Sequence, residues 1–427
     1  METEELKRKL MGLWEKTTHN SKDLLGILFD YYFDINYIEY KETEGKIVSA
    51  ICGIPYTFGY GKNILTGLYL ISLSSEEGFR KKGILAELLN NFNERVKNEF
   101  DFTFLVPHTE LLADYFGTLG YFSSFFILEE RFTPLHDFKN DYSLSFLDAD
   151  DRIKELKEIL MTQIQVSEFS ENSKFNKSQI IKFIEKEESK VSGSISMNHT
   201  EKDLDYILNK DTVSHLNTFY SYDDEGKITG VAFTQKEDLK RIKVVAIYVT
   251  DTCSYFTLLD FIKHQFEDHS ISVISPDPKY QYNSIVQLNY ASANPEGGDL
   301  DNTFRSIDIP FNINRLLQPM GMVKLLRFNK ILDFIANTRS DIDFKLHIRY
   351  YFPDGEDSKE GEKIIYTVKN GNFSKEITNS EISDRSILIL SEKEVSELLL
   401  RKNDSSNLIM EAFGIPRLNL QMRLLPY

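Results

Sequence analysis

Residues 65–86, LTGLYLISLSSEEGFRKKGILA, constrain the fold of this chain more than any other stretch. A run rich in apolar, β-branched and aromatic residues ends at Ser74-Ser75. A short loop then carries the basic triplet Arg80-Lys81-Lys82, and Gly83 opens the helical pattern Ile84-Leu85-Ala86-Glu87-Leu88-Leu89. A strand that passes through a basic glycine loop into a helix builds a site for an anionic phosphate ester. The helix N-terminus offers unpaired N–H groups and the positive end of the dipole, and glycine lets the backbone approach the ligand. Basic side chains at that end oppose the dipole unless an anion compensates. The segment therefore reads as a coenzyme site, with phosphate on the N–H groups from Lys81 through Ala86 and the strand end Leu73, Ser74 and Ser75 beside it.

The surrounding pattern is mixed. Helical periodicity covers 3–18 and 22–33, strands are expected at Tyr37–Lys41, Lys46–Ile54 and Gly67–Leu73, and a helix at 83–97. Phe102–Val106 is a short strand stopped by Pro107, a helix follows near Glu110–Leu119, and Phe122–Phe132 is a last strand. From about 140 to 305 the order partly repeats: a helix at 151–165, strands at Thr218–Tyr222, Lys227–Lys236 and Lys243–Val249, a helix at Phe256–Phe266, a strand at Ile271–Ile274. Where the first unit has its glycine loop, this one has Thr250-Asp251-Thr252-Cys253-Ser254, with neither glycine nor basic residue. One coenzyme site per chain is expected, in the first unit. A third unit starts near Pro310. It has a helix-prone Phe311–Phe334, strands at Phe344–Phe352, Lys363–Lys369 and Phe373–Thr378 with an Asn370-Gly371 hairpin turn, a strand at Ser386–Leu390, a helix at Glu392–Arg401 capped by Ser391, and an apolar end, Leu418–Tyr427.

A chain of 427 residues exceeds one core, and its net charge of −16 argues against general nucleic-acid binding while suiting cationic or amine-bearing substrates. Two cysteines far apart, Cys52 and Cys253, imply neither a disulfide framework nor a thiolate metal site, and no histidine spacing suggests a metal. No window approaches a membrane span and the N-terminus lacks a signal-type apolar core, so a cytoplasmic protein without membrane contact is expected.

The segment Ser74–Leu89 resembles the acyl-coenzyme A loop of GCN5-related N-acetyltransferases, Arg/Gln-x-x-Gly-x-Gly/Ala, with Arg80, Gly83 and Leu85 in those places. LLADYFGTLGYF resembles the second motif of that superfamily, an aromatic followed four residues later by Gly-Phe or Gly-Tyr. The whole chain resembles the Eis (enhanced intracellular survival) acetyltransferases, in which a basic triplet before the glycine and a leucine two residues after it are usual. The resemblance implies an α+β fold: an acetyltransferase domain at 1–137, a degenerate acetyltransferase-like domain at 138–308, and a sterol-carrier-protein-like domain at 309–427. It further implies acetyl-coenzyme A as co-substrate, a primary amine as acceptor, and homo-oligomers, ring-like hexamers in family members. Its coenzyme residues would be Leu73, Ser74, Ser75, Arg80, Lys81, Lys82, Gly83, Ile84, Leu85 and Ala86, with His108 and Thr109 on the following loop.

Acetyl transfer to an amine needs a base for the ammonium proton and an acid for the departing thiolate. The family draws its base from the C-terminal carboxylate, here that of Tyr427. The family's acid is a tyrosine at the position of Phe116, and phenylalanine cannot donate a proton. Tyr115 lies about 100° around the helix from it, and Tyr121 is the other nearby phenol. The aromatics Tyr56, Phe58, Tyr60 and Tyr69 line either an amine pocket or the core. A non-catalytic acyl-coenzyme A-binding or ligand-binding protein is the alternative that Phe116 favours.

Overall fold

The structure, a computed structural model, describes residues 3–18, 21–144, 150–170, 172–188, 190, 195–208, 216–238, 240–276, 313–348, 363–378, 387–390, 392–400, 418 and 420–422. The fold is α+β, and the chain divides into two compact units, one of residues 1–125, 195–198 and 319–421, the other of 126–194, 199–318 and 422–427.

In the first unit, helix α1 (Thr3–Thr18) buries Leu6, Leu10, Leu13 and Trp14, whose spacing of three to four residues makes one apolar face. Helix α2 (Lys22–Tyr32) starts at Ser21, whose Oγ accepts the Leu24 N–H at 3.2 Å. Strands β1 (Ile38–Thr43), β2 (Lys46–Tyr60) and β3 (Asn63–Ser75) pair antiparallel in sequence order. The β1–β2 turn has Glu44 at φ 52° and Gly45 at φ 78°, the positive pair that a tight hairpin needs. Helix α3 (Ile84–Val96), strand β4 (Phe102–Leu105), helix α4 (Glu110–Thr118) and strand β5 (Phe122–Phe132) follow. β4 lies parallel to β3, and Ile195–Asn198 and Leu420–Gln421 extend the sheet beyond β2. Between the layers Phe58, Phe102, Phe104 and Phe125 pack ring on ring, with centroids 5.0–6.0 Å apart. Gly67 is required there, because a Cβ on it would stand 2.6 Å from the Phe102 ring.

Phe311–Phe334 departs from the expected helix: Ile313–Leu325 is a strand, and only Phe328–Thr338 is helical. Pro319 lacks an N–H, Gly321 weakens a helix, and Met322–Leu325 gain ladder bonds to the free side of β4. The helix Phe328–Thr338 packs on β3 and on a separate four-stranded sheet, in the order Asn372–Thr378, Lys363–Lys369, Phe344–Ile348, Ile387–Leu390. Asn370 and Gly371, at φ 50° and 74°, form its hairpin turn. These C-terminal residues join the first unit through Arg327. The guanidinium lies 2.8 Å from Asp101 Oδ1, too bent for a directed hydrogen bond, and donates to the carbonyls of Asn98 and Glu99, both at 3.1 Å. The other oxygen of Asp101 accepts the Thr66 N–H at 2.7 Å.

The second unit repeats the succession. Strands Leu216–Tyr222, Ile228–Asp238 and Arg241–Val249 pair antiparallel, and Gln165–Glu168 edges the first of them. Helix Thr252–Gln265 then leads to Ser270–Pro276, which runs parallel to Arg241–Val249. Residues 127–132 of β5 pair on its outer side. Hairpin, helix and parallel strand thus recur in the order of β2, β3, α3 and β4.

Candidate functional site

Parallel strands β3 and β4 pair only where Gly67–Tyr69 meet Phe102–Phe104. β3 runs on to Ser75, so the carboxyl ends of the two strands part, the place where ligands enter sheets of this kind. A bulge sharpens the divergence. Ala50 pairs with Ser74 and Cys52 with Ile71, so Ile51 faces two residues, and Ser72 sits at φ 52°. Ser49, fully buried on β2, donates its hydroxyl to the Ser74 carbonyl at 2.9 Å and stands 2.8 Å from Ser75 Oγ. The Glu76 N–H donates to the Val48 carbonyl at 2.8 Å. The strand end is therefore held rigidly while Ser74 Oγ, buried, has no partner among the described residues.

The chain then crosses an exposed loop. Arg80 Nε donates to the Ser75 carbonyl at 3.1 Å, and the Lys82 ammonium lies 5.0 Å from the Phe79 ring centre. Among the described residues none of Arg80, Lys81 and Lys82 pairs with a carboxylate. Gly83 occupies the cap position of α3 at φ 77°, and no side chain caps the helix. The first intrahelical bond runs from Glu87 N–H to Gly83 O at 2.9 Å, which leaves the N–H groups of Ile84, Leu85 and Ala86 for a ligand. A Cβ on Gly83 would meet nothing within 4 Å, so the approach to these groups is open. Uncapped N–H groups and a bare α-carbon follow directly on three cations without carboxylate partners, a set that fits a pyrophosphate.

The matching place in the second unit is closed. Asp251 caps helix Thr252–Gln265, accepting the Ser254 N–H at 2.8 Å and the Thr250 hydroxyl at 2.6 Å, and Ser254 is fully buried. A carboxylate already sits where a phosphate would go, and its charge repels one.

The aromatic residues of α4 divide by facing. Phe116 is buried with Leu88, Phe92 and Leu105. Tyr121 is 1% exposed, its hydroxyl 2.9 Å from Thr103 Oγ1 and 3.3 Å from Asn93 Nδ2. Burial pushes its phenol up to about 12, only partly offset by those two hydrogen bonds. Tyr121, a candidate acid on sequence grounds, is thus a core residue whose proton is shared inward. Tyr121→Phe is expected to cost about 1–2 kcal/mol in chemical denaturation, because Asn93 and Thr103 lose a buried partner. Tyr115 is half-buried, its ring centre 5.3 Å from that of Phe116, and burial raises its phenol above the usual 10. It is the one phenol within α4, and it packs against the same core cluster as Phe116. His108 is exposed, and Thr109 caps α4 by accepting the Leu112 N–H at 3.3 Å. Tyr56, Phe58 and Tyr69 are buried in the core, while Tyr60 is half-buried.

Tyr427 and Ser391 lie outside the described residues. Leu418, Leu420 and Met422 of the apolar tail are buried. Among the described residues no group of three or more His, Cys, Asp or Glu side chains is placed to hold a metal, and no helix is long and apolar enough to cross a membrane. Sequence reasoning missed Ser49 and the bulge at Ser72; a lone serine inside the apolar run Ile47–Ile54, opposite Ser74-Ser75, is the signal that marks the first of them.

No protein-family model matches the chain, and no curated relative matches it. Solved structures do. A conserved Enterococcus faecalis protein, a probable N-acyltransferase, superposes with a TM-score of 0.63 at 12% identity over 94% of this chain and 88% of its own. A GCN5-related N-acetyltransferase from Anabaena variabilis gives 0.62 at 11% identity over 99% and 97%. Eis1 from Mycobacterium abscessus gives 0.60 at 8% identity over 97% and 92%. The likeness is one of fold, and it spans nearly the whole length of each chain.

Proposed function

We propose that this chain is an Eis-like N-acetyltransferase that moves an acetyl group from acetyl-coenzyme A to a primary amine, on a small polyamine-like or aminoglycoside-like molecule or on a lysine side chain. The observation that carries the reading is the uncapped, basic N-terminus of α3 beside the parted ends of β3 and β4. Pyrophosphate would lie on the N–H groups of Ile84, Leu85 and Ala86, with Arg80, Lys81 and Lys82 neutralising its charge, and His108 and Thr109 would border the opposite side. The pantetheine arm would run along Leu73–Ser75, where Ser49 holds the carbonyl of Ser74 in place.

The chemistry needs two proton transfers. The carboxylate of Tyr427 would take the proton of the ammonium, freeing the nitrogen lone pair for the thioester carbonyl. As the tetrahedral intermediate collapses, the C–S bond breaks and the phenol of Tyr115 would protonate the thiolate. A sterol-carrier-protein-like module after 309 and homo-oligomers belong to the same reading. Two free, buried cysteines agree with a reducing, cytoplasmic setting.

A direct test is coenzyme A thiol release by untagged protein, with acetyl-coenzyme A against a panel of primary amines. Coenzyme binding without release for every amine sinks the enzyme and leaves the non-catalytic acyl-coenzyme A-binding protein as the reading. Adding a C-terminal tag or deleting Tyr427 should lower turnover at least roughly tenfold, as loss of a general base does; undiminished release removes that role. For Tyr115 the sign of the pH dependence follows from its raised phenol. An acid acts while protonated, so the alkaline fall in turnover should lie above pH 10. Tyr115→Phe should abolish that limb and lower kcat roughly tenfold to a hundredfold, with the KM for coenzyme unchanged.

A further inference from the structure

Ser49 brings a hydroxyl to the place where the ladder between β2 and β3 is broken. Ala50 faces Ser74 and Cys52 faces Ile71, so the pairing slips by one residue between them. Past the slip, the Ser49 hydroxyl donates to the Ser74 carbonyl at 2.9 Å and stands 2.8 Å from Ser75 Oγ. Both partners belong to the last two residues of β3. Ser49 is 0% exposed and has no water to turn to, so its hydroxyl is committed to these contacts.

Peptide geometry gives the first of these bonds a direction. A trans peptide holds its C=O and its N–H on opposite sides, and among the described residues no peptide is cis. The Ser74 carbonyl points to β2, where Ser49 stands, so the Ser75 N–H of the same peptide points away from β2. β2 and β4 flank β3 on opposite sides, and β4 pairs with β3 only at Gly67–Tyr69. The Ser75 N–H therefore faces the side from which β4 has already parted. The next peptide agrees. Its Glu76 N–H donates to the Val48 carbonyl at 2.8 Å, and its Ser75 carbonyl turns outward to accept Arg80 Nε at 3.1 Å. Arg80 thereby covers the acceptor at this strand end, and the donor beside it is the Ser75 N–H. We infer that Ser49 is a positioning residue for the coenzyme: by holding the Ser74 carbonyl it aims the Ser75 N–H at an amide carbonyl of the pantetheine arm. The inference rests on the coenzyme reading and divides it in two. The phosphates answer to the helix N-terminus and the basic triplet, the arm to a serine buried one strand away.

The experiment is calorimetric titration of the full-length, untagged protein with coenzyme A and, separately, with ADP phosphorylated on its ribose, the part of coenzyme A that lacks the arm. Ser49→Ala is expected to weaken coenzyme A binding about fivefold to tenfold, the worth of one hydrogen bond, and to leave the armless ligand unchanged. A merely structural role would not split the two, because lost folding lowers the binding-competent fraction for both ligands alike. Ser49→Thr keeps the hydroxyl and should restore coenzyme A binding. Ser49→Cys, close to serine in size and only a weak donor, should repeat the loss and serves where the alanine variant does not fold. Equal weakening of both ligands, or of neither, overturns the inference and leaves Ser49 a buried structural hydroxyl. Wild type that binds coenzyme A no more tightly than the armless ligand also overturns it, since the arm then gains nothing at Ser75. Wild type that binds neither ligand marks a different failure, that of the coenzyme site itself, and the inference falls with it.

Discussion

Gly83→Val is expected to lower the affinity for coenzyme A at least roughly a hundredfold. The substitution puts a branched side chain beside the N–H groups of Ile84, Leu85 and Ala86, in the open space through which the proposed phosphate would reach them. Losing two charge-assisted hydrogen bonds to phosphate, each worth about 1.5–3 kcal/mol, accounts for that factor or more. Valine must also adopt φ 77°, which costs the fold about 1–3 kcal/mol. Calorimetric titration with coenzyme A and a denaturation curve separate the two effects. Unchanged affinity in a folded variant would show that phosphate binds elsewhere. Gly83→Ala should fall between, because its smaller side chain bears the same φ with less obstruction.

Asp101→Ala is expected to destabilise the first unit by about 3–5 kcal/mol, the cost of stripping one partner from a buried ion pair. The carboxylate is 4% exposed, faces the Arg327 guanidinium at 2.8 Å, and holds the Thr66 N–H at 2.7 Å, so its removal strands a cation and an amide together. Arg327→Ala should cost a similar amount. The double variant should cost less than the sum, because the second removal takes away a charge that the first had left unpaired. Trp14, the one tryptophan of the chain, is buried in α1 and makes urea unfolding of this unit visible by fluorescence. A loss below 1 kcal/mol in either variant would mean that the C-terminal residues are held by strand pairing with β4 and by the helix Phe328–Thr338 on β3, without help from the ion pair.

Local chemistry is legible in the sequence; long-range pairing is not. The strand, basic loop and helix at 65–96 follow from residues close together, so the uncapped N-terminus of α3 can be read directly. The same holds for the second unit, where Thr250–Ser254 offers no cradle and the structure adds the reason, a carboxylate already in the cap. The strand Ile313–Leu325 reads as helix because its apolar run matches either form. Its partner, β4, lies some two hundred residues earlier, beyond any local signal. Ile195–Asn198 joins β2 through four residues whose pattern says nothing about where they belong. Phe116 and Tyr115 are ambiguous for another reason: a helix period shows which residues share a face, but not which face meets the core.

The pairing of Phe102–Leu105 with Met322–Leu325 also sets an order of assembly during synthesis. Roughly 220 residues separate the two strands, and at about 5–20 residues per second the ribosome needs roughly 10–45 seconds to make them. Through that interval one side of β4 is an open strand edge, able to pair with whatever chain it meets. The unit that begins first is therefore completed late, and the helix terminus proposed to take the coenzyme is translated long before the sheet beneath it closes.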